Sequence, residues 1–152
     1  MVTDTDWAWA AGFFDGEGHI STRNRTGNGH LPKYRSGRSI VICINQHHRE
    51  VLDRFYDIVG YGNVTMITKT RPERSALSGT YESFSWRCGK REGVLHAVEH
   101  MWPYLGSVKR LQAAGAIILH TRLDPKGQQV VPSYLLDYYQ DRSPSDVMAT
   151  RG

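Results

Sequence analysis

Two carboxylates set between glycines carry the strongest chemical signal in this 152-residue chain: Asp15 and Glu17, interleaved with Gly16 and Gly18. They close a helical pattern that begins near Asp6. Along it Ala8, Ala11, Gly12, Asp15 and Gly16 recur at i, i+3, i+4, i+7 and i+8, one stripe of a 3.6-residue helix. Trp9, Phe13 and Phe14 fall off that stripe. The end of a helix carries partial negative charge, so two acids there attract a cation. A bare seam also lets a second backbone come close. Two copies packed on it would bring two Glu17 side chains together, which like charge makes costly unless a metal is shared. The expected dimer contacts are Ala8, Ala11, Gly12 and Asp15. Gly16 and Gly18 are expected to end the helix in a positive-φ turn.

Other reactive residues give weaker signals. His47 and His48 precede a helix, and His96 and His100 stand at i and i+4, but no third ligand has zinc-site spacing. Cys43 and Cys88 lie in apolar, strand-like runs and read as reduced thiols rather than a disulfide framework. The net charge is +4, which favours a polyanionic partner. Arg23, Arg25, Lys33, Arg35 and Arg38 follow one another without an intervening acid. No signal peptide or membrane-length apolar run is evident, so no membrane partner is expected. An intracellular location follows, organellar or in a bacterial or phage-infected cytoplasm.

The elements that must position these groups follow from periodicity. Thr3, Asp4, Thr5 and Asp6 offer caps for the first helix. Residues 19–25 alternate, with Ile20 and Thr22 on one face and His19, Ser21, Arg23 and Arg25 on the other. Residues 26–38 read as a basic, glycine-rich hairpin tip. Residues 39–46 form a second strand, with Ile40, Ile42 and Ile44 inward and Ser39, Val41 and Cys43 outward. Val51, Leu52, Phe55, Ile58 and Val59 mark a helix stopped by Gly60. A third strand, 62–69, places Val64 and Met66 inward. A fourth, 81–88, places Phe84, Trp86 and Cys88 inward. Helices follow over about 90–102 and 107–122. A linker at 125–132, a short tyrosine-bearing helix and a frayed tail from 143 complete the chain, giving a core of 1–123 and an extension of 124–152.

This order predicts an α+β domain, a four-stranded antiparallel sheet with helices on one face. The other face would display His19, Ser21, Arg23, Arg25, Arg35, Arg38, Ser39, Thr65, Ile67, Lys69, Ser83, Ser85 and Arg87. Hydroxyls and cations on a sheet suit the major groove of DNA, which admits a β-ribbon.

The run from Ala10 through Ala11, Gly12, Phe13, Phe14, Asp15, Gly16 and Glu17 to Gly18 resembles the motif of the LAGLIDADG homing endonucleases. Seven of its nine positions match when Phe for Leu or Ile and Glu for Asp count as conservative; Ala10 and Gly16 depart. The element order is similar to that family's αββαββα fold over about residues 5–122. The resemblance implies a homodimeric, Mg²⁺-dependent endonuclease cutting both strands of double-stranded DNA at a long pseudo-palindromic site, with short 3′ overhangs. Mn²⁺ would substitute, and Ca²⁺ would support binding without cleavage. By the same resemblance Glu17, with Gly16, would bind metal. Gln46 would orient the attacking water and Lys109 would stabilise the transition state, with Arg110 as its rival. Asp15 is read as structural, a cap or a hydrogen bond to the opposite chain. A strand of about 8 residues spans roughly 26 Å, about 8 base pairs per subunit.

Three functions fit these residues. One is the endonuclease. Another is a non-cleaving DNA-binding regulator or an RNA-binding intron maturase on the same fold. The third is a small interaction domain that dimerises through the seam, which would show no salt-dependent retention on DNA.

Overall fold

The computed structural model describes residues 1–24, 38–73, 76, 77 and 79–140. Arg25 and Arg35, most of the expected hairpin tip and the expected tail lie outside the described residues. So do the side chains of Arg23 and Arg38, although both belong to strands.

Helix α1, Asp4–Glu17, opens with a capping box. Thr3 Oγ1 accepts the Asp6 N–H at 3.2 Å, and the Asp6 carboxylate accepts the Thr3 N–H at 2.9 Å. Each bond satisfies a donor that a helix start leaves unpaired. Trp7, Ala10, Ala11 and Phe14 form its buried stripe. Trp9 and Phe13 are half-buried, and Phe13 meets Phe55 edge-on at 5.9 Å.

Strands β1, Gly18–Asn24, and β2, Arg38–Gln46, form the first antiparallel hairpin; β3, Asn63–Thr70, and β4, Thr80–Cys88, form the second. The sheet order is β1-β2-β4-β3, so the two hairpins join through β2 and β4. That junction pairs only Ile42 to Gln46 with Cys88 to Phe84. The hairpins therefore overhang one another in opposite directions. One face of the sheet is apolar: Ile40, Ile42, Ile44 and Trp86 are almost entirely buried. Trp86 stands edge-on to Phe55 at 4.8 Å, and its indole N–H donates to the Tyr61 carbonyl at 3.0 Å. Met66 was expected inward but is 56% exposed. It sits on edge strand β3, which has β4 on one side and no strand on the other.

Helices α2, Arg49–Val59, α3, Arg91–Met101, and α4, Ser107–Arg122, cover that apolar face. Gly60 ends α2 at φ +74°, a conformation that costs a side-chain-bearing residue about 1–2 kcal/mol. A 3-10 turn, Trp102–Tyr104, links α3 to α4. Along β1, Thr22 Oγ1 donates to the Ala116 carbonyl at 2.6 Å, fixing α4 against the strand. Helix α5, Ser133–Gln140, folds back onto α4 with Leu135 fully buried. Tyr134 and Tyr138 both meet the edge of Trp102. His96 and His100 pack against Trp7, with His100 stacked at 4.7 Å. No helix among the described residues is long and apolar enough to cross a membrane.

Candidate active site and nucleic-acid interface

The site is built around the end of α1. The expected positive-φ turn is absent: Gly18 has φ −79° and ψ 154°, and helix runs directly into β1. Glycine is required there for a different reason. A Cβ at Gly18 would run into the Phe14 ring, so the aromatic of the preceding turn occupies the missing side chain's place. The Gly18 N–H closes on the Phe14 carbonyl, and Glu17 is left exposed at the corner.

Three segments meet at this corner. Lys109, on the first turn of α4, donates from Nζ to the Gly18 carbonyl at 2.6 Å. Its ammonium also reaches Gln112 Oε1 at 3.5 Å and lies 5.8 Å from the Phe14 ring. Arg110 is engaged elsewhere. Its guanidinium donates to the Trp102 and Pro103 carbonyls and lies 5.4 Å from the Trp102 ring. Of the two rivals, Lys109 is the one beside the motif. Gln46 ends β2 two residues past Ile44, the partner of Gly18, which puts it at the end of the sheet where α1 runs into β1. Its side chain is half-buried, and its carbonyl accepts from Ser83 Oγ at 3.4 Å.

Asp15 turns inward. Both its carboxylate oxygens accept the Gly106 N–H, at 2.9 and 3.1 Å, tying α1 to the start of α4 within one chain. Ala11 also departs from the expected seam, being fully buried in its own core. The stripe proves narrower than drawn. Ala8 is half-buried while Gly12 and Gly16 are exposed, and a Cβ at either glycine would meet nothing within 4 Å. Positions 8, 12 and 16 form the bare seam; position 11 lies a further hundred degrees round from position 12.

The face of the sheet away from the helices carries the expected polar set. Cross-strand register aligns His19, Cys43, Arg87 and Asn63 in one row, and Asn45, Ser85 and Thr65 in the next. His19, Thr65, Ile67, Lys69 and Arg87 are exposed, and Ser21 and Ser39 half-buried. Ser83 and Ser85 face the expected way yet retain only 3% and 2% exposure. They are short side chains on an inner strand, overshadowed by longer neighbours. Asn63 is exposed on this same face, as alternation along β3 predicts, and so is Asn45, which the expected set omits. Alternation from Ser39, Val41 and Cys43 would have reached Asn45. Burial raises the pKa of the Cys43 thiol, and nearby Arg87 partly opposes that shift.

No family model matches the chain, and no curated protein matches it. Solved structures do. The homing endonuclease I-CvuI, in complex with its target in the presence of 2 mM Ca, superposes with a TM-score of 0.56 at 21% identity, covering 97% of this chain and 92% of its own. The same enzyme on the I-CreI target with 2 mM Mg, its DNA not cleaved, gives 0.57 at 20%, with coverages of 97% and 93%. The group I intron-encoded homing endonuclease I-CeuI, complexed with DNA, gives 0.56 at 12% and covers 93% of this chain and 69% of its own.

This is the LAGLIDADG homing endonuclease fold. In LAGLIDADG terms, α1 carries the motif, and Lys109 reaches the Gly18 carbonyl just past its final turn. Among the described residues no group of three or more His, Cys, Asp or Glu side chains could hold a metal. One chain offers Glu17 and, from the last turn of α1, backbone carbonyls such as that of Gly16, which lack an intrahelical partner.

Proposed function

We propose that the chain is a homodimeric, site-specific endonuclease of the LAGLIDADG family that hydrolyses phosphodiester bonds of double-stranded DNA with Mg²⁺, leaving short 3′ overhangs. The observation that carries this reading is the 2.6 Å bond from Lys109 Nζ to the Gly18 carbonyl. It brings a cation from α4 to the residue that follows Glu17, at the rim of an open, polar sheet.

The oxygen donors at the end of α1 fit a hard divalent cation. Mg²⁺ favours octahedral oxygen ligands, keeps several waters and is often held by one or two carboxylates plus substrate phosphate. Glu17 and the Gly16 carbonyl would hold it, completed by the second copy's Glu17 and by DNA. When bound, the ion supplies charge neutralisation at the scissile phosphate and a more acidic water. The chain's own residues do the rest. The Lys109 ammonium offsets negative charge growing on the phosphate, a role worth about 10²–10³ in rate for a well-placed donor. The Gln46 amide orients the attacking water through its carbonyl oxygen. The bare stripe of Ala8, Gly12 and Gly16 brings two such corners together across a two-fold axis, one for each DNA strand. On the sheet, Arg87, Lys69, Thr65, Ser39, Ser21 and His19 supply donors to phosphates and base edges. Arg23, Arg25, Arg35 and Arg38 would add further cations for phosphate.

The test is selection of bound sequences from a random duplex pool in Ca²⁺, followed by Mg²⁺. A long two-fold-symmetric site cut on both strands is expected. A specific site that binds but survives Mg²⁺ would reduce the protein to a DNA-binding regulator.

A further inference from the structure

A cavity of about 250 Å³ opens where the end of β4 meets the start of α3. Gly60, Gly62 and Gly89 leave much of its wall as bare backbone, while Asn63, Arg87 and Lys90 supply its polar side chains. No carboxylate lines it. Arg87 and Lys90 are both exposed, and no described carboxylate pairs with either. The acid at the first turn of α3, Glu92, is engaged by the Tyr61 hydroxyl at 3.2 Å. Asn63 and Arg87 are cross-strand partners on the open sheet face, so the cavity is continuous with that face. Lys90 stands immediately before α3, whose first-turn N–H groups lack a side-chain cap and add partial positive charge. Two unpaired cations and an amide around one cavity leave a surplus of donors that a tetrahedral anion would satisfy.

We propose that this cavity seats a backbone phosphate of the bound duplex, gripped by Lys90 and Arg87, at the end of the sheet opposite the β3–β4 loop. The proposal rests on the DNA-binding reading above. It makes Lys90 an anchor that contributes affinity without sequence preference, because phosphate contacts position a duplex while base contacts specify it.

The test compares wild type with Lys90→Gln and Arg87→Gln in Ca²⁺, on the selected target and on an unrelated duplex, across a salt series. Each lost phosphate contact lowers the magnitude of the negative slope of log K against log salt by about 0.9 on duplex DNA. Lys90→Gln is expected to show that drop and to weaken both duplexes by the same factor. An unchanged slope overturns the anchor. For Arg87→Gln, equal weakening of both duplexes supports the shared phosphate, whereas loss confined to the target makes Arg87 a base reader and removes it from the cavity. A wild-type protein that binds neither duplex would fail the DNA-binding reading itself, before either variant is compared.

Discussion

The Asp15 carboxylate and the Gly106 N–H, ninety-one residues apart, are joined through both carboxylate oxygens at 2.9 and 3.1 Å. The first acid of the motif thus serves its own subunit. Asp15→Ala should lower stability by about 1.5–3 kcal/mol, the scale of a hydrogen bond to a charged group. Asp15→Asn, which keeps an acceptor oxygen, should recover most of it. Urea unfolding checks this. A shift in dimer dissociation without a shift in monomer stability would instead place Asp15 across the interface.

Glu17 makes no comparable contact among the described residues and is exposed. Glu17→Gln should abolish cleavage while stability changes by less than about 0.5 kcal/mol, as at most surface positions. Binding in Ca²⁺ should persist. Continued cutting in Mg²⁺ would remove Glu17 from the proposed metal site.

Gly12 gives a clean test of the seam because, among the described residues beyond its own helix backbone, nothing lies within 4 Å of where its Cβ would be. Gly12→Leu should leave the fold intact, with helix propensity favouring it by several tenths of a kcal/mol. It should nonetheless produce monomers in sedimentation. An undisturbed dimer would sink the proposed interface.

Lys109 and Arg110 should separate by readout. Lys109→Met is expected to reduce the cleavage rate by about 10²–10³. Arg110→Met should lower the unfolding midpoint, because its guanidinium holds the Trp102 and Pro103 carbonyls. Cleavage per folded molecule should survive the second change. The reverse pattern would exchange their roles.

Acid should weaken the packing between α1 and α3. Burial, reinforced by repulsion from His100, lowers the pKa of His96 below its ordinary 6.5, against the opposing pull of Glu99 and Glu92. The unfolded chain therefore binds a proton near pH 6 more readily than the folded one. This contribution to stability is fully present above about pH 6.5 and is lost as pH falls through the folded value. Between pH 7.5 and 5.5 the wild-type Tm should fall further than that of His96→Gln. Parallel falls would show that His96 is not the titrating group.

The sequence disclosed elements better than exposures. Apolar spacing located α2, α3 and α4, because each buries one continuous stripe, such as Val94, Ala97, Val98 and Met101 on α3. Alternation assigned the two faces of β1, β2 and β4. It could not show that Met66 lies on a poorly covered edge strand, or that Ser83 and Ser85 are shaded by their neighbours, since both facts depend on strand order. Ala11 was misplaced because α1 has apolar residues on most of its circumference, and spacing alone does not tell which small residues meet the chain's own core. The role of Gly18 was hidden for a related reason. Its need for glycine comes from the Phe14 ring, a contact that no φ preference reveals.

Helix termini ordinarily fray, opening and closing with little free-energy cost. The last turn of α1 is held at four points: by Phe14 over Gly18, by the Gly18 N–H on the Phe14 carbonyl, by Lys109 on the Gly18 carbonyl and by Asp15 on Gly106. Its amides should exchange with solvent as slowly as those of the sheet interior. Glu17 therefore stands at a preorganised terminus, and the backbone beneath it need not be ordered again each time substrate arrives.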